Sequence, residues 1–315
     1  MMEVMLLIIG LGFLVKGADY LVDGAASIAR RFNISSIVIG LTIVAFGTSA
    51  PELVVNVLAS VRGTTEIAIG NIVGSNIANI FLILGISALV YPLRANKNTV
   101  LKEIPFSLLA AVVLGILVND KFLGGLGSNV LTFGDALILL AFFVIFLYYT
   151  FGIAQQGEAG DTEVKHLTTM RSVVYIMGGL VLLVIGGKWI VDVAVYFATS
   201  LGISQSVIGL TIVAVGTSLP ELATSVVAAY KKQSDIAIGN IVGSNIFNIF
   251  FILGVSGLIA PLPFLPSSNF DILMTAVASV ILFLVMYIGK KHTIERWQGV
   301  ALIAVYVAYV WYLLS

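Results

Sequence analysis

Long apolar stretches separated by short polar connectors run through the whole chain. Ten of them are long enough to cross a bilayer as helices, because about 20 helical residues span the hydrocarbon core. They cover residues 4–28, 36–61, 66–92, 103–119, 131–152, 171–198, 206–230, 235–260, 270–288 and 297–314. The one long polar connector, 153–170, lies midway along the chain. The pattern therefore predicts two sets of five membrane spans joined by a linker.

The two sets of spans are copies of each other, displaced by 169 residues without a gap. The segment from Ile67 to Ile77 recurs letter for letter from Ile236 to Ile246, and the polar residues are copied with the apolar ones. Five is an odd number, so the second copy must enter the membrane from the opposite side. Inverted repeats of this kind are a common plan of secondary transporters, with the site near the midplane. We expect an all-α membrane protein with inverted five-helix repeats at 1–152 and 171–315 and a cytoplasmic linker at 153–170.

The overall composition agrees with a membrane environment. Hydrophobic residues make up 59% of the chain and charged residues 10%, whereas a soluble domain carries about 25% charged residues. The formal net charge is zero, so nucleic acid is an unsuitable partner, and the absence of cysteine excludes thiolate metal sites and cysteine catalysis. The expected partner is therefore the lipid bilayer, and no protein partner is evident.

The basic residues predict how the chain is oriented. If the spans alternate in direction, only Arg62 and Lys121 of the 16 basic residues fall on one face of the membrane. Lys16 and Lys188 lie within spans, and all the others fall on the opposite face. Because cytoplasmic loops carry the excess of Lys and Arg, the basic face should be cytoplasmic. We expect a plasma-membrane protein with both termini outside.

Candidate chemistry lies in spans two and seven, each of which contains Gly-Thr-Ser-x-Pro-Glu-Leu. Glu52 and Glu221 lie deep within these apolar spans, where a carboxylate is costly unless it is paired or binds a cation. No basic residue lies in spans two, three, seven or eight away from their ends. Two facing carboxylates without a counter-charge require either protons or bound cations.

The prolines of the same motif should break both spans. Pro51 and Pro220 have no N–H, so the carbonyls of Gly47 and Gly216, four residues earlier, lose their helical donor. Free carbonyls would then lie beside the threonine and serine hydroxyls of the motif. Carboxylate, carbonyl and hydroxyl oxygens suit calcium and sodium rather than zinc or copper. We therefore expect broken spans two and seven to form a cation site.

Spans three and eight contribute a second paired motif, Gly-Asn-x-Val-Gly-Ser-Asn-Ile-x-Asn. Ser75 and Asn79 are four residues apart and share a helix face, as do Ser244 and Asn248. The glycines of the motif, which would let these helices approach the broken ones closely, are Gly70, Gly74, Gly239 and Gly243. The alternative interpretation of the motif is helix packing with interhelical hydrogen bonds.

With these paired motifs the chain resembles the cation/calcium exchanger superfamily, and most closely its prokaryotic sodium/calcium exchanger branch. The two motif pairs correspond to the family's two α-repeats. The resemblance implies secondary active antiport of sodium against calcium by alternating access. It also implies that the protein is not an enzyme and that it uses no cofactor apart from the transported ions.

The resemblance further implies a set of cation ligands, residue by residue. The calcium site would use the carboxylates of Glu52 and Glu221 and the carbonyls of Thr48 and Thr217. One flanking sodium site would use the Ala45 carbonyl, Ser49, Glu52 and Ser244. Its mirror would use the Ala214 carbonyl, Ser218, Glu221 and Ser75. Asn79 and Asn248 would border the central site. Potassium-dependent relatives carry Asp at the position of Asn248, so Asn here argues against potassium coupling.

Three alternative functions remain open at this point. In a calcium/proton antiporter, protonation of the glutamate pair would replace sodium, although Thr48–Ser49 departs from that branch's Gly-Asn-x-x-Glu pattern and favours sodium. An intramembrane hydrolase would need a nucleophile or a metal-binding histidine beside a glutamate, and the sequence offers neither. A structural scaffold would have no use for two costly intramembrane carboxylates.

Overall fold

The computed structural model describes residues 2–124, 129–154, 165–200 and 214–314, and these residues are almost entirely helical. In the first half the α-helices are Met2–Arg31, Ser36–Ile39, Ala45–Thr48, Ala50–Arg62, Glu66–Ala78, Leu84–Val90, Ile104–Leu117, Asp120–Gly124 and Phe133–Ala154. In the second half they are Thr169–Ser200, Ala214–Thr217, Leu219–Tyr230, Ser234–Ile246, Gly254–Ile259, Asn269–Val285 and Arg296–Leu314. π-Helical turns at Gly40–Val44, Asn79–Ile83, Thr99–Glu103 and Phe247–Leu253 connect consecutive pieces. The start of predicted span seven and most of the predicted linker lie outside the described residues.

Six of the described helices are long and apolar enough to cross a membrane, or seven if one bent pair counts as a span. They are Glu3–Arg31, Ala68–Val90, Thr99–Leu117, Phe133–Ala154, Thr169–Ser200 and Ser234–Ile259. The bent pair, Ser36–Thr48 and Ala50–Arg62, turns by 47° at the position of the predicted break in span two. In the second half, Ser218 separates Ala214–Thr217 from Leu219–Tyr230 at the matching position. Both predicted breaks are therefore present.

The predicted boundaries differ from the observed ones mainly at spans one, four and six. Met2–Arg31 has 30 residues and Thr169–Ser200 has 32, which at about 1.5 Å per residue is longer than the roughly 30 Å hydrocarbon core. Helices of this length fit a bilayer only when they tilt or extend beyond it. Span four begins at Thr99, four residues earlier than predicted, because Thr99, Val100 and Glu103 are buried in a π-helical turn.

The two longest helices, Met2–Arg31 and Thr169–Ser200, pack closely against each other through glycines. A Cβ atom added at Gly17 would lie 2.8 Å from the carbonyl oxygen of Gly179, and one added at Gly186 would lie 2.7 Å from that of Gly10. A displacement of 169 residues converts one of these contacts into the other. The glycines therefore allow backbone contact at two matching positions.

The centre of the fold consists of the helical segments Ser234–Ile259 and Ala68–Val90, whose most apolar stretches are 94% and 78% buried. A Cβ atom at Gly239 would lie 2.8 Å from the carbonyl oxygen of Ile37, and one at Gly243 would lie 2.7 Å from that of Leu41. The predicted close approach is thus confirmed for these two glycines. The residues of the second half that correspond to Ile37 and Leu41 are 206 and 210, and they lie outside the described residues. The matching contacts of Gly70 and Gly74 are therefore not described.

Two short antiparallel ladders connect loops of the two halves. Leu93–Arg94 pairs with Thr293–Ile294, and Val130–Leu131 pairs with Leu262–Pro263. Each ladder joins the end of one helical segment to the start of another helix in the opposite half. The ladders therefore hold the halves together at the loops, while the glycine contacts and the buried central helices hold them together along the helices.

Candidate functional site

The two predicted glutamates lie at the breaks of the bent helices. Glu52 is in the first turn of Ala50–Arg62 and Glu221 is in the first turn of Leu219–Tyr230. Both are buried, with exposed fractions of 0% and 1%. The amino-terminal turn of a helix carries partial positive charge, which favours a carboxylate there. Each break therefore places a helix amino terminus at a buried carboxylate.

Each of these carboxylates accepts a hydrogen bond from a serine of the opposite half. Ser49 Oγ lies 2.8 Å from Glu221 Oε1, and Ser218 Oγ lies 3.1 Å from Glu52 Oε1. Both serines adopt backbone angles that interrupt the helix, with ψ near 7° and 6°. The two bonds correspond to each other under the 169-residue displacement, so the two breaks face each other at one site.

The predicted serines of spans three and eight also reach this site. Ser244 Oγ lies 3.4 Å from Glu221 Oε1, and Ser75 Oγ lies 3.2 Å from Ser218 Oγ. Ser49 and Ser244 thus contact Glu221, and Ser218 contacts Glu52, so these three serines meet the carboxylate of the opposite set from the one that the resemblance implied. Ser75 reaches the site through the Ser218 hydroxyl. The physical reason is that each break directs the serine hydroxyl away from the glutamate of its own helix and toward the other half.

The site contains four buried oxygen acceptors that have no hydrogen-bond partner among the described residues. They are Glu52 Oε2, Glu221 Oε2, Asn79 Oδ1 and Asn248 Oδ1, and they form two pairs under the repeat displacement. No ion pair within the described part of the chain includes either glutamate. A buried acceptor without a partner costs about 1–3 kcal/mol. A bound cation or proton would remove that cost.

The remaining predicted ligands are backbone groups at the same breaks. The Ala45 carbonyl accepts the N–H of Ser49 at 3.0 Å and lies 3.3 Å from Thr48 Oγ1. Ala214 and Thr217 are the two ends of the helical piece that precedes Ser218. The Thr48 side chain lies beside Glu221, and the Thr217 side chain lies beside Glu52. The structure therefore brings the predicted ligand positions together at the two breaks.

Three buried asparagines at this site were not among the predicted ligands. Asn240 Oδ1 accepts the Thr48 hydroxyl at 2.9 Å, and Asn240 Nδ2 donates to Ser225 Oγ at 3.0 Å. Asn76 and Asn245 bond to each other across the halves. The sequence contained one signal for these asparagines, the letter-for-letter copy of Ile67–Ile77 at Ile236–Ile246. The fold alone does not require the polar residues of the two copies to be identical.

The chemistry of the site is that of oxygen ligands. Within the described residues, no group of three or more His, Asp or Glu side chains could hold a metal ion. A cation between the two carboxylates would therefore need hydroxyl, amide or carbonyl oxygens as its further ligands. Such hard, mostly neutral oxygens are typical ligands of calcium and sodium.

Comparisons with known proteins agree with the fold. A family model described as sodium/calcium exchanger protein matches residues 2–152 and 171–315. The chain is 36% identical to the sodium/calcium exchanger MaX1 of Methanosarcina acetivorans, over 97% of each chain. It is 38% identical to the inner membrane protein YrbG of Escherichia coli, over 81% of this chain and 79% of that one. Among solved structures, the sodium-calcium exchanger NCX_Mj aligns with a TM-score of 0.84 and 35% identity, over 98% of both chains.

Proposed function

Because this chain belongs to the sodium/calcium exchanger family, we propose that it exchanges sodium for calcium across the membrane by alternating access. The observation that carries this proposal is the set of four buried acceptors that have no partner among the described residues, one on each glutamate and one on each of Asn79 and Asn248. Two carboxylates balance the charge of one calcium ion. Because sodium would use the same carboxylates, the two cations compete for the pocket, and competition of this kind couples their transport.

The proposed ligands divide into a central group and two flanking groups. Calcium would take the carboxylates of Glu52 and Glu221 and the carbonyls of Thr48 and Thr217, with Asn79 and Asn248 at the border. Sodium would use the flanking serines and the carbonyls of Ala45 and Ala214. The hydroxyl contacts support one flanking group of Ser49, Ser244 and Glu221 and another of Ser218, Ser75 and Glu52.

The proposed topology is ten membrane helices arranged as two inverted five-helix repeats, 1–152 and 171–315, around a cytoplasmic linker at 153–170. The ladder between Leu93–Arg94 and Thr293–Ile294 joins two loops that this topology places on the basic face. The ladder between Val130–Leu131 and Leu262–Pro263 joins two loops of the other face. Both pairings support the alternation of the spans. With the basic face cytoplasmic, both termini lie outside the plasma membrane.

A transport assay separates sodium coupling from the second candidate, calcium/proton antiport, which the same uncompensated carboxylates would support. Proteoliposomes loaded with calcium are given an inward sodium gradient in one set and an inward proton gradient in another. We expect calcium efflux to follow the sodium gradient, and Glu52→Gln to abolish it. If calcium efflux follows only the proton gradient, the protein exchanges calcium for protons and not for sodium.

A further inference from the structure

Asn76 and Asn245 form a reciprocal pair at the contact between the two halves. Asn76 Nδ2 donates to the carbonyl oxygen of Asn245 at 3.1 Å, and Asn245 Nδ2 donates to that of Asn76 at 3.4 Å. The two residues correspond under the 169-residue displacement, and their exposed fractions are 0% and 1%. Each side chain is therefore anchored by a backbone carbonyl of the opposite half.

This anchoring fixes the orientation of two further amides. A backbone carbonyl can only accept a hydrogen bond, so the group that Asn76 directs toward Asn245 must be its NH₂. The oxygen of Asn76 then accepts from Asn248 Nδ2 at 2.9 Å, and the oxygen of Asn245 accepts from Asn79 Nδ2 at 2.9 Å. Because the amide nitrogens of Asn79 and Asn248 are held in these bonds, their oxygens must face the other way.

The oxygens left over are the two amide acceptors without a partner among the described residues, Asn79 Oδ1 and Asn248 Oδ1. Asn79 lies one helical turn after Ser75, which contacts Ser218 of the site. Asn248 lies in the π-helical turn Phe247–Leu253, which packs against Ala50–Arg62, the helix that bears Glu52. The bond network thus presents oxygen, not NH₂, next to the glutamates.

We propose that Asn76 and Asn245 are positioning residues that set cation affinity, each by holding the border amide of the opposite half with its oxygen toward the ion. A reversed amide would present NH₂ hydrogens, which repel a cation. The inference rests on the proposed cation site. It assigns Asn76 to Asn248 and Asn245 to Asn79, and this crossed pairing is what makes it testable.

The test combines Asn76→Ala with a second substitution and measures calcium affinity by titration calorimetry of the purified protein. Loss of a residue that orients a metal ligand typically lowers affinity about 10- to 100-fold. We expect a loss of this size for Asn76→Ala alone and in an Asn79→Ala background. In an Asn248→Ala background it should disappear, because the amide that Asn76 orients is already absent. The pattern should reverse for Asn245→Ala.

Equal losses in both backgrounds would overturn the inference, because a general structural role of Asn76 does not depend on which border amide is present. If Asn76→Ala does not fold, Asn76→Leu, which fills a similar volume, replaces it in the same comparison. The proposed function fails separately, if the native protein binds no calcium or if Glu52→Gln binds it normally. Native binding together with equal losses would reject only the positioning role.

A second inference follows from an asymmetry between the ion pairs of the two halves. Lys231 Nζ lies 2.6 Å from Asp19 Oδ1 and 2.5 Å from Asp23 Oδ1, and Lys165 Nζ lies 2.7 Å from Asp23 Oδ2. The hydrogen bond to Asp23 raises the pKa of Lys165, which keeps this lysine charged. These contacts form a lysine–aspartate cluster that ties the first long helix to the end of the helix bearing Glu221.

The counterparts of this cluster in the other half are not joined. Asp192, which corresponds to Asp23, pairs at 2.7 Å with Lys188 of its own helix, and both side chains are more than half exposed. Lys188 stands at the position that corresponds to Asp19. Arg62, which corresponds to Lys231, forms no ion pair with any described residue. Among the described residues, Asp23 and Lys231 are therefore joined across helices, whereas Asp192 and Arg62 are not.

We infer that the cluster is a latch, and that the change of access exchanges it for an Arg62–Asp192 pair at the opposite end. Asp23 and Asp192 lie on the two long helices that pack together through glycines, whereas Lys231 and Arg62 end the two helices that bear the glutamates. If the two long helices shift relative to the two helices that bear the glutamates, the Asp23–Lys231 ion pair would separate and an Asp192–Arg62 ion pair would form.

Cross-linking of engineered cysteine pairs tests this exchange, since the native chain has no cysteine. One pair is Asp23→Cys with Lys231→Cys, and the other is Asp192→Cys with Arg62→Cys. Each cross-link made with a short bifunctional reagent should stop exchange, and the two locked forms should admit calcium from opposite sides. Continued exchange through the first locked form, or entry from the same side in both, would refute the latch.

Discussion

Removal of the Ser49 or Ser218 hydroxyl should weaken sodium binding more than calcium binding. Each hydroxyl is a proposed ligand of one flanking sodium site and donates to the carboxylate of the opposite half, at 2.8 Å for Ser49 and 3.1 Å for Ser218. Ser49→Ala and Ser218→Ala remove these oxygens but leave both glutamates in place. The central calcium site therefore keeps its full negative charge.

The size of the effect is set by the lost contact between the hydroxyl oxygen and sodium, which we take to be as strong as a hydrogen bond to a charged group. A hydrogen bond to a charged group contributes about 1.5–3 kcal/mol, which corresponds to roughly 10- to 150-fold in an equilibrium constant. We take this range as the expected increase in the half-saturating sodium concentration. Calcium affinity should change by less than about threefold, which corresponds to roughly 0.7 kcal/mol, because both carboxylates of the central site are retained.

The assay is sodium-driven calcium flux in proteoliposomes, with sodium and calcium varied separately. Ser87→Ala and Ser256→Ala are matched controls, because both hydroxyls are fully buried and have no hydrogen-bond partner among the described residues. They also correspond to each other under the 169-residue displacement, as Ser49 and Ser218 do. The controls should leave both sodium and calcium dependence near those of the native protein.

Two results would refute this reasoning. If Ser49→Ala and Ser218→Ala weaken calcium binding but leave sodium dependence unchanged, the division into central and flanking sites is wrong. If the control substitutions change sodium dependence as much as the site substitutions do, the effect reflects loss of a buried hydroxyl rather than loss of a ligand.

Three further predictions test the site and the topology. Glu52→Gln or Glu221→Gln should abolish calcium flux while the thermal unfolding transition in detergent is retained, because removing a buried unpaired charge need not destabilise the fold; near-normal uptake by both variants would contradict the site. Asn248→Asp should keep exchange but make calcium uptake depend on pH, because a third buried carboxylate beside two others favours its protonated form; an unchanged pH profile, or potassium-dependent uptake by the native chain, would contradict this account of Asn248. Lys97→Cys should react with an impermeant maleimide only from the cytoplasm, and Lys121→Cys only from outside; labelling from the reverse sides would overturn the orientation but not the site.

The sequence alone was sufficient for the family, the helical class and the two broken helices. An apolar stretch must become a helix in lipid, because lipid offers no partner to an unpaired backbone group. Proline removes a backbone donor wherever it occurs in a helix, so the breaks before Glu52 and Glu221 are local properties. The repeat can also be recognised from the sequence, because the recurrence of identical polar residues at a fixed displacement does not depend on how the chain folds.

Only the tertiary structure decided which groups meet across the two halves. That Ser49 contacts Glu221 rather than Glu52, and that Asn76 holds Asn248, depends on the direction of side chains at breaks far apart in sequence. The two copies differ within this cluster, since Asp19 corresponds to Lys188. Even so, the sequence alone could not show that Asp23 is joined to Lys231 while Asp192 is joined to Lys188 and not to Arg62. Helix formation and proline breaks depend on residues that are close together in the sequence. The contacts between the two halves depend on how the halves pack, and these short-range patterns do not determine that packing.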